Sequence, residues 1–144
     1  MSLILTLFRM SELIKQADIP SILEDLIDNA TLTDPIDGTT KQRPVVLVFH
    51  ESSADLKYLD TVGYNSDNAE NIVEVVDTRE MHQYAVRSNN SASLASVLGS
   101  LEIQYKHLHN AGNDAMYTLQ AMVGLAVKQR LSSLEAASGK KSQT

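Results

Sequence analysis

The 144-residue chain contains no cysteine. That excludes disulfides, a thiolate zinc site and a thiol nucleophile, and it fits a reducing compartment. Positive charge is in short supply: 12 Lys and Arg stand against 18 Asp and Glu, a net charge of −6 at pH 7. A broad basic surface for duplex nucleic acid is therefore not expected. A small acidic site stays open, because metal ions bridge carboxylates and phosphates. Long hydrophobic runs are missing too. Leu3–Phe8 is apolar but far too short to cross a bilayer. It also lacks the basic n-region and small-residue cleavage site of a signal peptide. The expectation is a chain of the cytoplasm or nucleus with no membrane partner. No internal repeat is present, and no Asp-x-Glu triplet occurs anywhere.

What is present reads as one domain with a single core. Residues 3–8 suit a short strand. Asp18 before Ile19-Pro20 reads as an N-cap followed by an early proline, and Ile22, Leu23, Leu26 and Ile27 predict a helix over 19–29. Residues 31–43, rich in Thr, Asp, Pro and Gly, read as a loop. Asp34 and Asp37-Gly38 there fit a turn better than a calcium loop, because no glutamate closes the pattern. Val45–Phe49 is an unbroken β-branched and aromatic run, suited to a strand buried on both faces. A helix should follow Asp55, with Leu56, Leu59 and Val62 inward and Gly63 as its stop. Residues 64–71 read as a polar loop and Ile72–Val76 as a second strand ending at Asp77-Thr78. Short helices are expected around Met81–Val86 and Leu94–Leu101, with Ile103 packed beneath the following loop. The last helix carries Ala115, Leu119, Met122, Val123 and Ala126 at spacings of three and four, predicting its buried face. Residues 138–144 are expected to be a disordered tail. Strands alternating with helices indicate an α/β fold with a largely parallel sheet, whose functional groups gather at the carboxyl ends of strands.

Chemistry concentrates at 107–114, where His107, His109, Asn110, Asn113 and Asp114 crowd a helix start that needs only one cap, from Asn113 or Asn110. His109 and Asp114 are five residues apart. On one helix that is about 500°, leaving the side chains roughly 140° apart. They can serve one site only if His109 is on the loop and Asp114 in the first turn, with Gly112 as the bend. Asp55 completes a minimal set of two carboxylates and one histidine. Such carboxylates suit Mg²⁺ or Mn²⁺, and an imidazole suits proton abstraction near neutral pH. Plainer roles stand beside these. Asp114 can favour the helix dipole, Asp55 can cap its helix, and His109 can bond a backbone carbonyl. His50 can line its turn, and Asp77 suits a turn after a strand. His107 and His109 form a His-x-His pair of the kind that sometimes binds zinc.

His109-Asn-Ala-Gly-Asn-Asp114-Ala resembles the third motif, His-x4-Asp, of the DEDDh 3′–5′ exonucleases in the ribonuclease H-like superfamily. Val48-Phe-His50-Glu-Ser-Ser-Ala-Asp55-Leu-Lys-Tyr-Leu59 looks like their second motif. Asp77-Thr78 after a strand and Ser93–Leu98 before the third motif are also similar. The wording of the third motif further resembles that of fungal nuclease-like domains associated with a DEAD-box mRNA-export helicase. The resemblance covers about residues 8–128, within a domain expected over 8–137. It implies a ribonuclease H-like α/β fold, a mixed and mostly parallel sheet flanked by helices, truncated at the N-terminus because the Asp-x-Glu motif is missing. It further implies Asp55 and Asp114 as metal ligands for Mg²⁺ or Mn²⁺, His109 as general base, and stepwise hydrolysis at single-stranded nucleic acid 3′ ends. Without its usual neighbour strand, Val45–Phe49 would leave an exposed sheet edge, to be covered by residues 3–8, a protein partner or a second copy.

Overall fold

The computed structural model describes residues 15–139. The expected strand at 3–8 and the end of the expected tail lie outside them. The architecture is mixed α/β and falls into two compact units. The first comprises the described residues up to Leu47 together with Ser52–Val75. The second comprises Val48–Glu51 and everything from Val76 onward.

The first unit opens with a 3₁₀ turn, Gln16–Asp18, that runs into helix α1, Ile19–Leu23, and a π-helical stretch, Glu24–Asp28. Pro20 sits in the first turn, as its missing N–H permits. Asp18 does not cap. Its backbone is already helical and its side chain makes no capping bond; instead the Ser21 hydroxyl donates to the Asp18 carbonyl at 3.0 Å. The 31–43 segment is not a plain loop but an antiparallel hairpin of β1, Thr31–Thr33, and β2, Thr40–Gln42, with Thr31 opposite Gln42. The composition misled because Asp, Pro and Gly occupy only the tip, whereas the flanking threonines are β-branched. At that tip Asp34 accepts from the Ile36 N–H, Asp37 accepts from the Thr39 N–H, and Gly38 takes φ 71°. The turn reading of Asp34 and Asp37 is what the structure gives.

Helix α2, Ser52–Thr61, starts four residues ahead of the expected position, so Asp55 lies inside its first turn rather than at the N-cap position. Leu56, Leu59 and Val62 are half-buried as expected, and Gly63 ends the helix at φ 97°. Three residues of the supposed polar loop are buried: Tyr64, 3% exposed, Ala69, and Asn71, 5% exposed. Tyr64 donates its phenol to Asp28 at 2.9 Å. Asn71 donates its side-chain amide to the carbonyls of Ile27 and Arg43. A turn thus holds the end of the first helical segment to the start of the next strand.

Strand β3, Val45–Phe49, pairs with β4, Ile72–Asp77. Each begins in the first unit and ends in the second. The expectation that β3 is buried on both faces is corrected: Val46 is 47% exposed, because β3 has β4 as its sole neighbour among the described strands.

The second unit holds the hydrophobic core. Helices α3, Thr78–Val86, α4, Leu94–Ser100, and α5, Ala111–Gly139, pack around Val97, Leu98, Ala121 and Leu125. Asp77 caps α3 through the Arg79 N–H at 2.8 Å, and Ser93 caps α4 through the Ser96 N–H. Val97 and Leu98 are fully buried, each worth about 1.5–3 kcal/mol by transfer. Ile103 packs against this core as expected. The buried face of α5 is not the expected one. Thr118, Ala121 and Leu125 are buried, while Val123 and Ala126 are exposed. Apolar residues encircle this helix, so spacing alone does not single out the packed face. Gly124 marks that face: a Cβ there would lie 3.0 Å from Leu101 Cδ1 and 3.6 Å from Ile103 Cδ1.

His50 ends β3 and anchors this unit. Its Nε2 donates to the Ala92 carbonyl at 3.0 Å, and its Nδ1 lies 2.9 Å from the hydroxyl of fully buried Thr78. That hydroxyl donates to the Phe49 carbonyl at 3.0 Å. Thr78→Val keeps the volume and removes the hydroxyl, leaving two half-buried partners without it. Urea denaturation should show a loss of roughly 1–3 kcal/mol.

Tyr64 gives a pH dependence. Burial, then the hydrogen bond to Asp28 and the charges of Asp28 and Glu24, push its phenol above the ordinary value of 10.0. A raised phenol favours the folded state while the phenol stays protonated, so this stabilisation is whole below about pH 10. It is lost as pH rises above that. Wild type should lose stability between pH 9 and 11 more steeply than Tyr64→Phe; parallel melting curves for the two would overturn the assignment.

Candidate functional site

The 107–114 stretch is a loop running into α5, as the five-residue spacing required. Asn110 caps the helix, accepting from the N–H groups of Gly112 and Asn113 at 3.2 and 3.3 Å. Asp114 falls in the first turn. The bend is not at Gly112, which is helical. It is at the histidines themselves: His107 has φ 54° and His109 φ 72°. Positive φ is uncommon for residues with a Cβ and costs energy that neighbours must repay.

The repayment is visible. Asp114 Oδ1 accepts the His109 N–H at 3.1 Å, and the Asn113 amide donates to the His107 carbonyl at 3.0 Å. Leu108 packs against the core. The Tyr117 hydroxyl accepts the Lys106 N–H at 3.0 Å, and its ring meets Tyr105 edge-on at 6.3 Å. Composition reasoning missed Tyr117. Its place three residues after Asp114, one turn along α5, is the signal that marks it.

The structure therefore brings the backbone of His109 and the carboxylate of Asp114 into direct contact. The His109 side chain is exposed and has no hydrogen-bond partner among the described residues, and Asp114 Oδ2 is likewise unbonded there. Asp55 belongs to the other unit, exposed on α2. His50 and Asp77 have structural work: His50 joins Thr78 and Ala92, and Asp77 caps α3 and accepts the Glu51 N–H at 3.2 Å. Glu51, at φ 80°, pairs with Arg79 at 2.7 Å. Among the described residues no group of three His, Cys, Asp or Glu side chains is placed to hold a metal ion. The His107–His109 pair accordingly lacks the third ligand that zinc needs. Neither does the described chain by itself fit a divalent cation.

If Asp114 holds the loop, Asp114→Ala should release it while Asp114→Asn keeps an acceptor. Hydrogen exchange at the His109 amide should accelerate about fivefold in the alanine variant, the effect of one hydrogen bond of roughly 1 kcal/mol, and much less in the asparagine variant. Equal exchange in both would show that the loop does not depend on this carboxylate.

Comparison with known proteins agrees with the motifs. Two fungal proteins are similar to this chain. "Good for full DBP5 activity protein 2" of Saccharomyces cerevisiae is 31% identical, covering 59% of this chain and 18% of that protein. A protein of Schizosaccharomyces pombe named as an uncharacterized nucleolar protein is 33% identical, covering 60% of this chain and 37% of that protein. The chain thus spans well under half the length of either relative. Among the described residues no helix is long and apolar enough to cross a membrane. Residues 6–125 match the family described as DNA polymerase III subunit epsilon-like, C-terminal domain. With that match over most of its length, and a mixed α/β architecture consistent with the ribonuclease H-like exonucleases, the chain belongs to this DEDDh-related family.

Proposed function

We propose that the chain carries part of a metal-dependent 3′–5′ exonuclease site acting on single-stranded nucleic acid 3′ ends. Asp114 and Asp55 would each supply a metal-binding carboxylate for Mg²⁺ or Mn²⁺, and His109 would act as general base. One observation carries the reading: Asp114 Oδ1 accepts the His109 backbone N–H, which ties the motif's acid to the backbone that carries the imidazole. It also leaves the ring and the second carboxylate oxygen open to a ligand. An imidazole suits proton abstraction from water near neutral pH. The remaining carboxylates would come from outside this sequence, which has no Asp-x-Glu. The domain over 8–137 is on this reading the carboxyl-terminal part of the exonuclease fold.

A second reading, a nuclease-like module that binds RNA or protein without catalysis, is favoured by the lack of any three-group metal set among the described residues. The half-exposed Val46 on β3 is where a protein partner or a second copy would cover the sheet. The nucleolar name of one relative supports a nuclear location.

The experiment is incubation with Mn²⁺ and a 5′-labelled RNA strand, with melting curves in parallel. The exonuclease reading expects one-nucleotide ladders that Asp114→Ala abolishes, and stabilisation by Mn²⁺. A cation at ten times its Kd stabilises by about 1.4 kcal/mol. No ladder and no Mn²⁺-dependent shift would leave the binding module as the function.

A further inference from the structure

A second site lies at the other end of α5. There, the last turn of α3, the loop that follows it and the C-terminal half of α5 enclose an open groove of about 720 Å³. Its walls carry Tyr84, Arg87, Asn89, Lys128, Gln129 and Ser132, and no carboxylate. In a chain of net charge −6, a carboxylate-free groove with two cations is a local reversal of sign. Tyr84 is 75% exposed, so its ring is open to a flat ligand. Arg87 ends α3 at φ 52°, a position where glycine is the commonest residue, and no carboxylate pairs with it among the described residues. The loop it begins is held in place: Gln83 donates to the Asn89 carbonyl at 3.1 Å, and the Ser88 hydroxyl accepts the Asn90 N–H. Lys128 donates to the Ser100 carbonyl at 3.4 Å. An ammonium has three donors, so this contact tethers the charge and leaves others to give.

We propose that this groove binds single-stranded nucleic acid, a base stacking on Tyr84 and phosphates meeting Arg87 and Lys128. An aromatic platform beside cations is the arrangement that holds a strand without reading its sequence. The amides of Asn89 and Gln129 add donors and acceptors for sugar and base edges. An acidic peptide would engage the two cations but leave the ring unused, so the strand is the occupant that uses all three groups. The site is separate from the His109–Asp114 loop. Along α5, Asp114 and Lys128 are 14 residues apart, about 21 Å at helical rise, so binding here requires no catalysis there.

The test uses the full chain in EDTA, with a fluorescein-labelled 12-nucleotide oligouridine strand read by anisotropy. Tyr84→Ala, Arg87→Asn and Lys128→Ala should each weaken binding roughly 5- to 30-fold, while Tyr84→Phe, which keeps the stack, should bind as wild type. Asparagine tolerates the conformation at 87, and circular dichroism with melting identifies any variant that fails to fold. Losing both cations should flatten the plot of log K against log salt by about 1.4, from about 0.7 per phosphate contact on a single strand. The proposal is overturned if the strand does not bind, if the groove variants bind as wild type, or if a poly-glutamate peptide binds as tightly as the strand. Asp114→Asn separates the two sites. Binding lost there but retained in the groove variants would move the strand to the 107–114 loop and leave the exonuclease reading standing. An inactive chain with groove-dependent binding would do the reverse.

Discussion

The imidazole of His50 joins three segments distant in sequence. Through Thr78 it reaches the first turn of α3 and the carbonyl of Phe49, and through its other nitrogen it reaches the carbonyl of Ala92, just before α4. The Ala92 carbonyl can only accept, so Nε2 carries a proton. Because Thr78 is fully buried, its hydroxyl has no water as a substitute and depends on these partners. The packing of α3 and α4 on α5 follows from it. Once the start of α3 and the approach to α4 are tied to the end of β3, Val97 and Leu98 meet Ala121 and Leu125.

The same economy governs the 107–114 loop. Two histidines take left-handed backbone conformations there, where glycine would be cheaper. The chain gives up that ease, and Asn110, Asn113, Asp114 and Tyr117 each spend a polar atom on the loop's backbone. Strain confined to a loop and over-determined by its neighbours is the usual mark of a segment whose side-chain directions matter. The exposed ring of His109 projects from the backbone so held.

Much of this was legible in the sequence. The strands at 45–49 and 72–77, the stop at Gly63 and the loop-then-helix placement of His109 and Asp114 all follow from local chemistry and spacing. What did not follow has a common cause. The hairpin at 31–42 was hidden because turn residues at its tip outweighed two threonine-rich flanks. The burial of Tyr64 and Asn71 was hidden because their partners, Asp28, Ile27 and Arg43, lie 28 to 44 residues away. The packed face of α5 was misplaced because apolar residues run all round it; Val123, Val127, Leu131 and Leu134 form a stripe that the described structure leaves exposed. Periodicity reports that a face exists; the neighbours decide which one is used.

Asp114 brings these threads together, because it is both a backbone partner and a candidate ligand. Its Oδ1 is committed to the His109 N–H, a charge-assisted bond that is strongest while the carboxylate is ionised. A cation taken by Oδ2 would leave that bond intact. Asp114 brings one negative charge however it is engaged, and two divalent ions held close together repel, so further acids would have to share in holding them. The same carboxylate would then keep the loop in place with one oxygen and offer the other outward. A substitution at this position would therefore disturb the loop and any ligand together, which is why an asparagine that keeps the acceptor and an alanine that removes it report different things.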